Sequence, residues 1–587
     1  MQHRVCLIVS SLIIACTPVV LVAQDTEQAA REAAFSKLMS GCKMVGVFTT
    51  AGSTEQPQPE TYELGEVRKV EGDKWRIKAK IQYAKKRAIT VPITVRVNWA
   101  GDTPMIQVTD LKIPLMGTFT ARVLVFRGEY TGTWSAKSHG GHMFGKVIPA
   151  AKGEDGAGDD KGQANNWPQF HGAFGRGVAE GGATPIQWDV LKGENVVWRT
   201  PIPGLAHSSP VVWGDRVFVT TAVGDGQAPL RVGLYGDIKP VEDDSEHQMQ
   251  LLCLDKQSGA IRWSKTAWTG VPKIKRHPKG SHAASTPATD GVHVLAFFGS
   301  EGLYCYDVDG KLLWKKDLGV LDSGFFRAKD AQWGFASSPV IHDGKVIVQC
   351  DVQGDSFVAA LDVKTGADLW RTARTEVPTW STPTVCESQG RLQVICNGWK
   401  HIGGYDFATG EELWKVVGGG DIPVPTPVVA HDLIFITSAH GRHAPILAIS
   451  TGARGEFSMA AEESEHMVWS QLRRGNYMQT PIVYGDELYC CNDAGVLSVY
   501  EARTGKLHYR ERLGAGMTGF TGSGVAATGR LYFTSEMGQV HVVAAGPTFK
   551  LLGTNPLGEE CLSTPAVSQG VMFYRTRGHL VAVADRL

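Results

Sequence analysis

The fold is decided by residues 370–427, WRTARTEVPTWSTPTVCESQGRLQVICNGWKHIGGYDFATGEELWKVVGGGDIPVPTP. A small-residue motif ending in Pro383 is followed by two apolar strands, the turn at Thr409-Gly410 and then Trp414. The next copy of the motif ends at Pro427, 44 residues after Pro383. A fixed period of about 40–50 residues that contains several short strands is typical of a β-propeller.

The small-residue motif recurs eight times in the last 420 or so residues. Its copies are Ser208-Ser209-Pro210, Ser285-Thr286-Pro287, Ser337-Ser338-Pro339, Ser381-Thr382-Pro383, Pro425-Thr426-Pro427, Gln479-Thr480-Pro481, Gly522-Ser523-Gly524 and Ser563-Thr564-Pro565. Proline suits the first residue of a strand, because no ladder donor is needed there. The spacing predicts eight blades, or seven if the seventh copy, which lacks Pro, is spurious.

The end of the chain predicts how the propeller closes. Each copy leads into further strands, and the fourth strand of a blade ends in an aromatic residue, as at Trp370 and Trp414. The last blade reaches Leu587 after only three strands. Residues 194–198 (ENVVW) also end in Trp and have no blade of their own. We therefore expect this segment to be the outer strand of the final blade, which closes the ring and protects its edges.

The repeat T-G-x-x-x-W with S-T-P and A-L-D segments resembles the pyrroloquinoline-quinone (PQQ) repeat over residues 167–587. That repeat occurs in quinoprotein alcohol dehydrogenases, in the propeller lipoprotein of the bacterial outer-membrane assembly machinery and in other secreted propellers. The resemblance implies an eight-bladed all-β propeller. It implies an activity much less strongly, since one fold carries many functions.

The dehydrogenases of this family place a vicinal disulfide beside the quinone, together with an Asp base and Ca²⁺ ligands. Cys490-Cys491 is a vicinal pair in this chain, at the end of a strand in YCCNDAG. The family's catalytic Asp and calcium ligands do not match specific positions here. We expect the two cysteines to face opposite sides of their strand. PQQ and Ca²⁺ are cofactors only if the chain is an oxidoreductase.

Length, charge and cysteine content narrow the class of protein. The 587 residues are too many for one compact core, and 59 Lys and Arg balance 59 Asp and Glu. This balance gives no general attraction to nucleic acid. Nine of the 11 cysteines lie beyond residue 24 at wide spacings, which does not indicate a disulfide framework.

Residues 1–24 resemble a secretory signal peptide, with Arg4 before an apolar run over 5–22 and a polar turn at Gln24-Asp25. We expect a periplasmic or secreted protein without a transmembrane segment after cleavage. A retained membrane anchor and lipidation at Cys16 are the alternatives.

The residues before the propeller predict a separate β-rich domain over 25–150. A short amphipathic helix is expected within 25–41, because Ala, Glu, Gln and Lys alternate with apolar residues at helical spacing. Residues 75–83 and 89–99 then alternate apolar and polar side chains, which indicates an antiparallel sheet, either a small barrel or a sandwich. His139 and His142 lack a third ligand, so a polar turn is favoured over a metal site. Residues 151–166 are expected to be a flexible linker.

A binding site is expected at one end of the propeller, which we call the mouth. It is formed by the loops that lead into each blade's first strand and the loops that join the second and third strands. The candidate ligand-binding residues are His207, Lys279, His282, Trp333, Trp380, Lys400, His401, Asp421, His440, Arg442 and Tyr477. Further polar residues of these loops are Gln479, Glu301, Asp355, Asp493, Glu536 and Arg577. Trp333 and Trp380 are suited to stacking on a planar ligand.

Two long stretches accompany these loops. Residues 223–250 form an insertion in the first blade, with Asp237 and acidic residues 242–244, and residues 273–279 are locally basic. A basic run of this kind is more often a solvated surface than a phosphate site.

Three functions are consistent with the sequence. The first is a non-catalytic, extracytoplasmic propeller that binds a protein, peptide or glycan. The second is a PQQ-dependent oxidoreductase. The third is a hydrolase or lyase, which would require His282, Asp421 and His440 within hydrogen-bond reach of each other. The chain contains no H-E-x-x-H, G-x-S-x-G or Walker motif.

Overall fold

The structure of the protein is a computed structural model. It describes residues 28, 31, 32, 35, 36, 38–52, 57–83, 89–101, 103–113, 117–126, 129–137, 139–148, 166–224, 230–234, 236, 238–328, 330–388, 390–516 and 518–585. The predicted signal peptide with Cys16, nearly all of the predicted linker and Asp237 lie outside the described residues. The chain divides into two compact units, Met1–Asp160 and Lys161–Leu587. The described residues contain no helix long and apolar enough to span a membrane.

The first unit is a closed antiparallel barrel in which each strand pairs with the next. Its eight strands are Lys43–Phe48, Gln58–Glu71, Lys74–Tyr83, Ile89–Ala100, Thr103–Ile113, Gly117–Phe126, Glu129–Ser135 and Gly140–Ile148. The first strand closes the ring by pairing with the eighth, in a register that joins Lys43 to Ile148 and Phe48 to Met143. Of the two arrangements that the sequence left open for this sheet, the structure therefore shows the barrel and not the sandwich.

A helix seals one end of this barrel. The described residues between 28 and 39 are helical, as the amphipathic pattern predicts. Phe35 is buried and makes edge-to-face contacts with Trp75 and Trp99, at centroid distances of 5.1 and 6.0 Å. The Ser36 hydroxyl donates a hydrogen bond of 2.6 Å to the Val67 carbonyl. These contacts attach the apolar face of the helix to the barrel core.

The second unit is a propeller of eight blades, each an antiparallel four-stranded sheet, as predicted. Blade 1 consists of Val211–Trp213, Arg216–Gly224, His247–Asp255 and Ile261–Gly270. Blade 2 consists of Ala288–Thr289, His293–Phe297, Leu303–Asp307 and Leu312–Lys316. Blade 3 consists of Val340–His342, Lys345–Cys350, Phe357–Asp362 and Asp368–Ala373. Blade 4 consists of Thr384–Ser388, Arg391–Cys396, Ile402–Asp406 and Glu412–Val416.

The other four blades complete the ring. Blade 5 consists of Val428–Ala430, Leu433–Thr437, Ile446–Ser450 and Met467–Gln471. Blade 6 consists of Ile482–Tyr484, Glu487–Cys491, Val496–Glu501 and Leu507–Arg512. Blade 7 consists of Val525–Ala527, Arg530–Thr534, Gln539–Ala544 and Leu551–Pro556, so the copy without Pro does form a blade. Blade 8 takes Ala566–Ser568, Val571–Arg575 and His579–Val583 from the end of the chain.

The outer strand of blade 8 is Val196–Pro201, which pairs antiparallel with His579–Val583. The predicted ring closure by the segment around 194–198 is confirmed. The first and last parts of the unit therefore share one sheet. Main-chain hydrogen bonds between them close the ring and complete the four strands of blade 8.

Short elements decorate the regular blades. Gly455–Phe457, which lies between the third and fourth strands of blade 5, pairs in parallel with Glu412–Val416 of blade 4. Val178–Ala179 pairs in parallel with the first strand of blade 7. The described part of the chain also contains three 3₁₀ turns, Ala173–Gly175, Gly299–Glu301 and Ala461–Glu463.

Candidate functional site

The repeated small-residue motif forms a ring of hydroxyls at the mouth. Its second residue in each blade is Ser or Thr, and the eight residues of this hydroxyl ring are Ser209, Thr286, Ser338, Thr382, Thr426, Thr480, Ser523 and Thr564. The backbone N–H of Ser209 donates a hydrogen bond of 2.9 Å to Oγ1 of Thr286, and the Thr286 N–H donates one of the same length to Oγ of Ser338.

Four more links of the same kind continue around the axis, at 2.9–3.0 Å. They join Ser338 to Thr382, Thr426 to Thr480, Thr480 to Ser523 and Ser523 to Thr564. The small-residue motif therefore does more than allow neighbouring blades to approach. Its hydroxyl accepts a main-chain hydrogen bond from the preceding blade, so the repeat is also the contact between blades.

All eight members of the hydroxyl ring line one cavity of about 480 Å³ at the mouth. Six of the predicted site residues line the same cavity, namely His207, Lys279, Trp333, Trp380, His440 and Tyr477. Asp493 and Glu536, from the loops between second and third strands, line it as well. The structure thus brings together side chains from loops of blades that are far apart in sequence. A volume of this size is in the range of ligand pockets.

An aromatic wall forms one side of the cavity, and consists of Phe325, Trp333 and Trp380. Phe325 stacks on Trp333 with a centroid distance of 5.7 Å and an interplanar angle of 7°, and Trp333 lies 5.7 Å from Trp380. The Trp380 Nε1–H donates a hydrogen bond to the Gly334 carbonyl and the Trp333 Nε1–H donates one to the Ile238 carbonyl, both at 2.9 Å. Because main-chain carbonyls satisfy the indole donors, the wall offers apolar ring surface to the cavity.

An ion pair with a buried carboxylate forms another side of the cavity. Nζ of Lys279 lies 2.6 Å from Oε1 of Glu536, whose side chain is 1% exposed. The same carboxylate accepts hydrogen bonds of 2.6 Å from the Thr521 hydroxyl and the Gly233 N–H. The pair joins the loop before blade 2 to the loop between the second and third strands of blade 7.

The insertion of blade 1 covers part of the mouth. The strands on either side of it are longer than the sequence indicates, so the insertion is 225–246 rather than 223–250. Leu234 and Ile238 line the cavity, and the Arg231 and Val241 N–H groups donate to the carbonyls of Pro278 and Arg276. The described part of the insertion therefore contributes apolar wall and is tied to the loop before blade 2.

His207 faces this cavity as a neutral imidazole. Burial, together with the positive charges of Arg276, Arg575 and Arg577, lowers the pKa of His207 to about 3. On another side of the mouth, His440 adopts a left-handed backbone conformation with φ of 70°. Its ring meets Tyr477 edge-on at a centroid distance of 4.2 Å. A residue of this type with positive φ is uncommon and is often found at functional sites.

Five predicted site residues do not line the cavity: His282, Lys400, His401, Asp421 and Arg442. The ring of His282 packs against His247 at 5.1 Å, and burial, His247 and Arg276 lower its pKa to about 3. Asp421 forms an ion pair with Arg327, at 2.6 Å, and Arg442 is exposed. The described contacts therefore do not assemble His282, Asp421 and His440 into the constellation that hydrolysis would require.

Lys400 and His401 lie in a loop that Glu376 holds in place. The buried Glu376 carboxylate accepts hydrogen bonds from the backbone N–H groups of Trp399, Lys400 and His401 at 2.8–3.2 Å. Nζ of Lys400 lies 5.7 Å from the Trp399 ring centroid, while Nε2 of His401 lies 2.5 Å from Glu412. Trp399 in turn contacts Phe326, at 4.5 Å. Through the Trp399 ring, this loop therefore supports the segment that contains Phe326.

The basic run 273–279 is largely engaged by protein groups. Lys275 forms an ion pair with Glu242, Nζ of Lys273 donates to the Ser300 carbonyl at 2.6 Å, and Lys279 pairs with Glu536. Arg276 is buried and donates to the Gly280 carbonyl at 3.1 Å. These contacts make the run part of the scaffold that shapes the mouth, not an open cationic surface.

The vicinal cysteines lie away from the cavity. Cys490 is buried in the core between blades 5 and 6, whereas Cys491 is buried in the core between blades 6 and 7. Both are free thiols on opposite faces of one strand, as the alternation predicts. The described residues contain no group of three or more His, Cys, Asp or Glu arranged to hold a metal ion.

Sequence comparison establishes the family. The model for the family described as outer membrane protein assembly factor BamB matches residues 247–506 and 398–546, which together span just over half of the chain. The chain belongs to this family of PQQ-like propellers. No curated protein matches it.

Two solved structures illustrate the likeness of this PQQ-like propeller to known proteins. BamB from Moraxella catarrhalis is 14% identical, with a TM-score of 0.42, over 62% of this chain and 98% of that chain. Quinohemoprotein alcohol dehydrogenase from Comamonas testosteroni is 11% identical, with a TM-score of 0.47, over 72% of this chain and 81% of that chain.

Proposed function

We propose that this PQQ-like propeller is a periplasmic or secreted binding protein that holds a protein, peptide or glycan in its mouth without transforming it. The observation that carries the proposal is the cavity of about 480 Å³, in which an aromatic wall and a hydroxyl ring face the same space. Aromatic faces stack on sugar rings or on peptide side chains, and hydroxyls and main-chain groups supply hydrogen bonds.

Two further points support a partner over a reaction. The family model that matches the chain is described as an assembly factor of the outer membrane, which favours a protein ligand and an envelope location. Two of the charged groups at the cavity, Lys279 and Glu536, are also paired with each other. A paired and buried carboxylate is better suited to holding loops in place than to taking a proton from a substrate.

The proposal is tested by measuring binding of the full-length protein to a peptide library and a glycan array. Trp333→Ala and Trp380→Ala are expected to weaken the strongest interactions at least ten-fold, since buried aromatic anchors carry much of an interface's binding energy. The control is Phe174→Ala. Phe174 is an exposed aromatic residue of the propeller that contacts His342, at the far end of the first strand of blade 3.

A second measurement separates binding from oxidation. The protein is titrated with PQQ and Ca²⁺, and alcohol-dependent dye reduction is recorded. We expect no turnover of alcohol in the unaltered protein. We expect the same result in Cys490→Ser. Stoichiometric binding of the quinone with turnover would replace the binding proposal with the oxidoreductase.

A further inference from the structure

The amino-terminal barrel is not completely filled by its own side chains. It contains a cavity of about 360 Å³. A barrel of eight strands is just wide enough either to be packed with side chains or to hold one small ligand. The size of the cavity places this barrel in the second class.

The cavity lies toward the end of the barrel opposite the helix. At the helical end, Phe35 packs on Trp75 and Trp99, and Met39 is fully buried. The cavity is instead lined by Thr50, Ala136 and His139, which follow the first strand and the seventh strand at the other end. Its rim includes Trp134, whose Nε1–H donates a hydrogen bond of 3.1 Å to the Thr49 carbonyl.

The walls of the cavity are predominantly apolar. They include Ile77, Ile81, Val95, Ile106, Val108 and Val123. Ala79 and Ala121 stand at positions where neighbouring strands carry larger residues, and their short side chains leave the space open. An apolar cavity of this kind takes up apolar molecules in preference to water.

One carboxyl group interrupts the apolar lining. Glu60 is 4% exposed and lies in the cavity wall. Its two oxygens accept hydrogen bonds of 2.8 Å, one from the Tyr62 hydroxyl and one from the Tyr130 hydroxyl. Burial raises the pKa of Glu60. A buried acid held by two tyrosines is an unusual feature in an otherwise apolar barrel, because burying such a group is costly.

The barrel is built to bring Tyr130 to this carboxyl. Tyr130 pairs with Gly145, which pairs with Gly46, which pairs with Glu60, so the ring crosses two strands that carry no side chain at this level. A Cβ atom at Gly46 would lie 2.5 Å from the Tyr130 hydroxyl, and one at Gly145 would lie 2.8 Å from the Tyr130 ring. Glycine at both positions is therefore required by the contact.

We propose that the barrel binds one small amphipathic molecule, with an aliphatic body among the apolar walls and a hydroxyl or amine head that donates a hydrogen bond to Glu60. Each Glu60 oxygen has accepted one hydrogen bond and retains a further lone pair. A ligand with a donating head completes this arrangement. A ligand with a carboxylate head would place a second acid beside Glu60.

The test uses the full-length protein and the fluorescent probe N-phenyl-1-naphthylamine, an apolar molecule with one N–H donor. Fluorescence enhancement is expected in the unaltered protein. Ala121→Phe, which fills the cavity, is expected to weaken probe binding at least ten-fold. Ala100→Phe adds the same ring at an exposed barrel position and is expected to leave binding unchanged. Ala79→Leu is a second cavity-filling variant if Ala121→Phe does not fold.

The preference for the head group is tested by displacement of the probe. At pH 7.5, decanol is expected to displace the probe at a concentration at least ten-fold lower than decanoate. In Glu60→Gln the difference between these two concentrations is expected to be smaller. Equal enhancement in the unaltered protein and in the cavity-filling variants would place the probe elsewhere and overturn the proposal. Absence of enhancement in the unaltered protein, or equal displacement by alcohol and acid, would overturn it as well.

Discussion

Nζ of Lys279 lies 2.6 Å from Oε1 of Glu536, and this ion pair connects two loops that are 257 residues apart in sequence. The Glu536 carboxylate also accepts a hydrogen bond from the Gly233 N–H. The loop before blade 2, the insertion of blade 1 and the loop of blade 7 that contains Glu536 therefore meet at one side chain. We expect the arrangement of the candidate site to depend on this meeting point.

Removing the lysine tests that dependence. Lys279→Met leaves the buried Glu536 without its cation, and we expect a loss of about 1–3 kcal/mol in the free energy of unfolding, measured by urea denaturation. The control is Lys275→Met, which removes the partner of a Glu242 side chain that is 74% exposed. An exposed pair is worth little, so we expect a change below about 1 kcal/mol there. Equal losses in the two variants would contradict the role given to Glu536.

The hydroxyl ring makes a prediction about the contact between blades. Thr286→Val keeps the shape of the side chain but leaves the buried Ser209 N–H without its acceptor, so we expect a loss of about 1–3 kcal/mol in stability. Thr286→Ser retains the hydroxyl and is expected to lose much less. Both are measured by denaturant unfolding of the propeller transition. If the valine and serine variants were equally stable, the hydroxyl would not be the link between these blades.

The propeller could be predicted from the sequence because its signals are local and are repeated along the chain. The turn, the aromatic residue of the fourth strand and the Pro motif recur in most blades, and Trp198, which belongs to no earlier blade, identifies the closing strand. Closure of the small barrel could not be predicted in the same way. It depends on pairing between Lys43 and Ile148, about 100 residues apart, which alternation of apolar residues does not specify.

The candidate site was predicted less completely, for a related reason. Trp333 and Trp380 could be found because each lies shortly before a copy of the repeat motif, four residues before Ser337 and directly before Ser381. Phe325 has no such signal, since it lies within an irregular loop and joins the wall only through stacking. His282 lies at an equally favourable place in sequence, but the long hairpin of blade 1 presents His247 to its ring and turns it from the cavity.

The neutral histidines predict how stability depends on pH. His207 and His282 both have a folded-state pKa of about 3, whereas an unfolded histidine titrates near 6.5. The unfolded chain therefore binds protons that the folded protein excludes, and stability is expected to fall as pH drops from about 6.5 toward 3. Each group contributes a slope of up to about 1.4 kcal/mol per pH unit.

The variant that tests this dependence is His282→Gln, which removes one titrating group and is expected to flatten the slope between pH 6.5 and 4. Unfolding free energies from urea titrations at several pH values provide the measurement. His508→Gln changes an exposed histidine of blade 6 and should leave the slope as it is. A slope that is identical in all three proteins would show that His282 is not held neutral by the fold.

The hydrogen bond from the Trp333 indole to the Ile238 carbonyl is expected to restrain the insertion of blade 1. Trp333→Phe keeps an aromatic ring in the wall but removes the donor to the Ile238 carbonyl. We expect faster amide hydrogen exchange in 230–234 and 238–246, with a change below about 1.5 kcal/mol in global stability. Trp380→Phe removes a donor to Gly334 instead and should leave exchange in the insertion unchanged.

The measurement that tests the central claim most directly is amide hydrogen exchange of the full-length protein with and without its strongest peptide or glycan ligand. The account predicts slower exchange in the loops of the mouth, namely 230–234, 271–287 and 318–339, because the aromatic wall and the ion pair lie there. Protection confined to the outer strands of the blades or to the amino-terminal barrel would contradict the assignment of the mouth as the binding site.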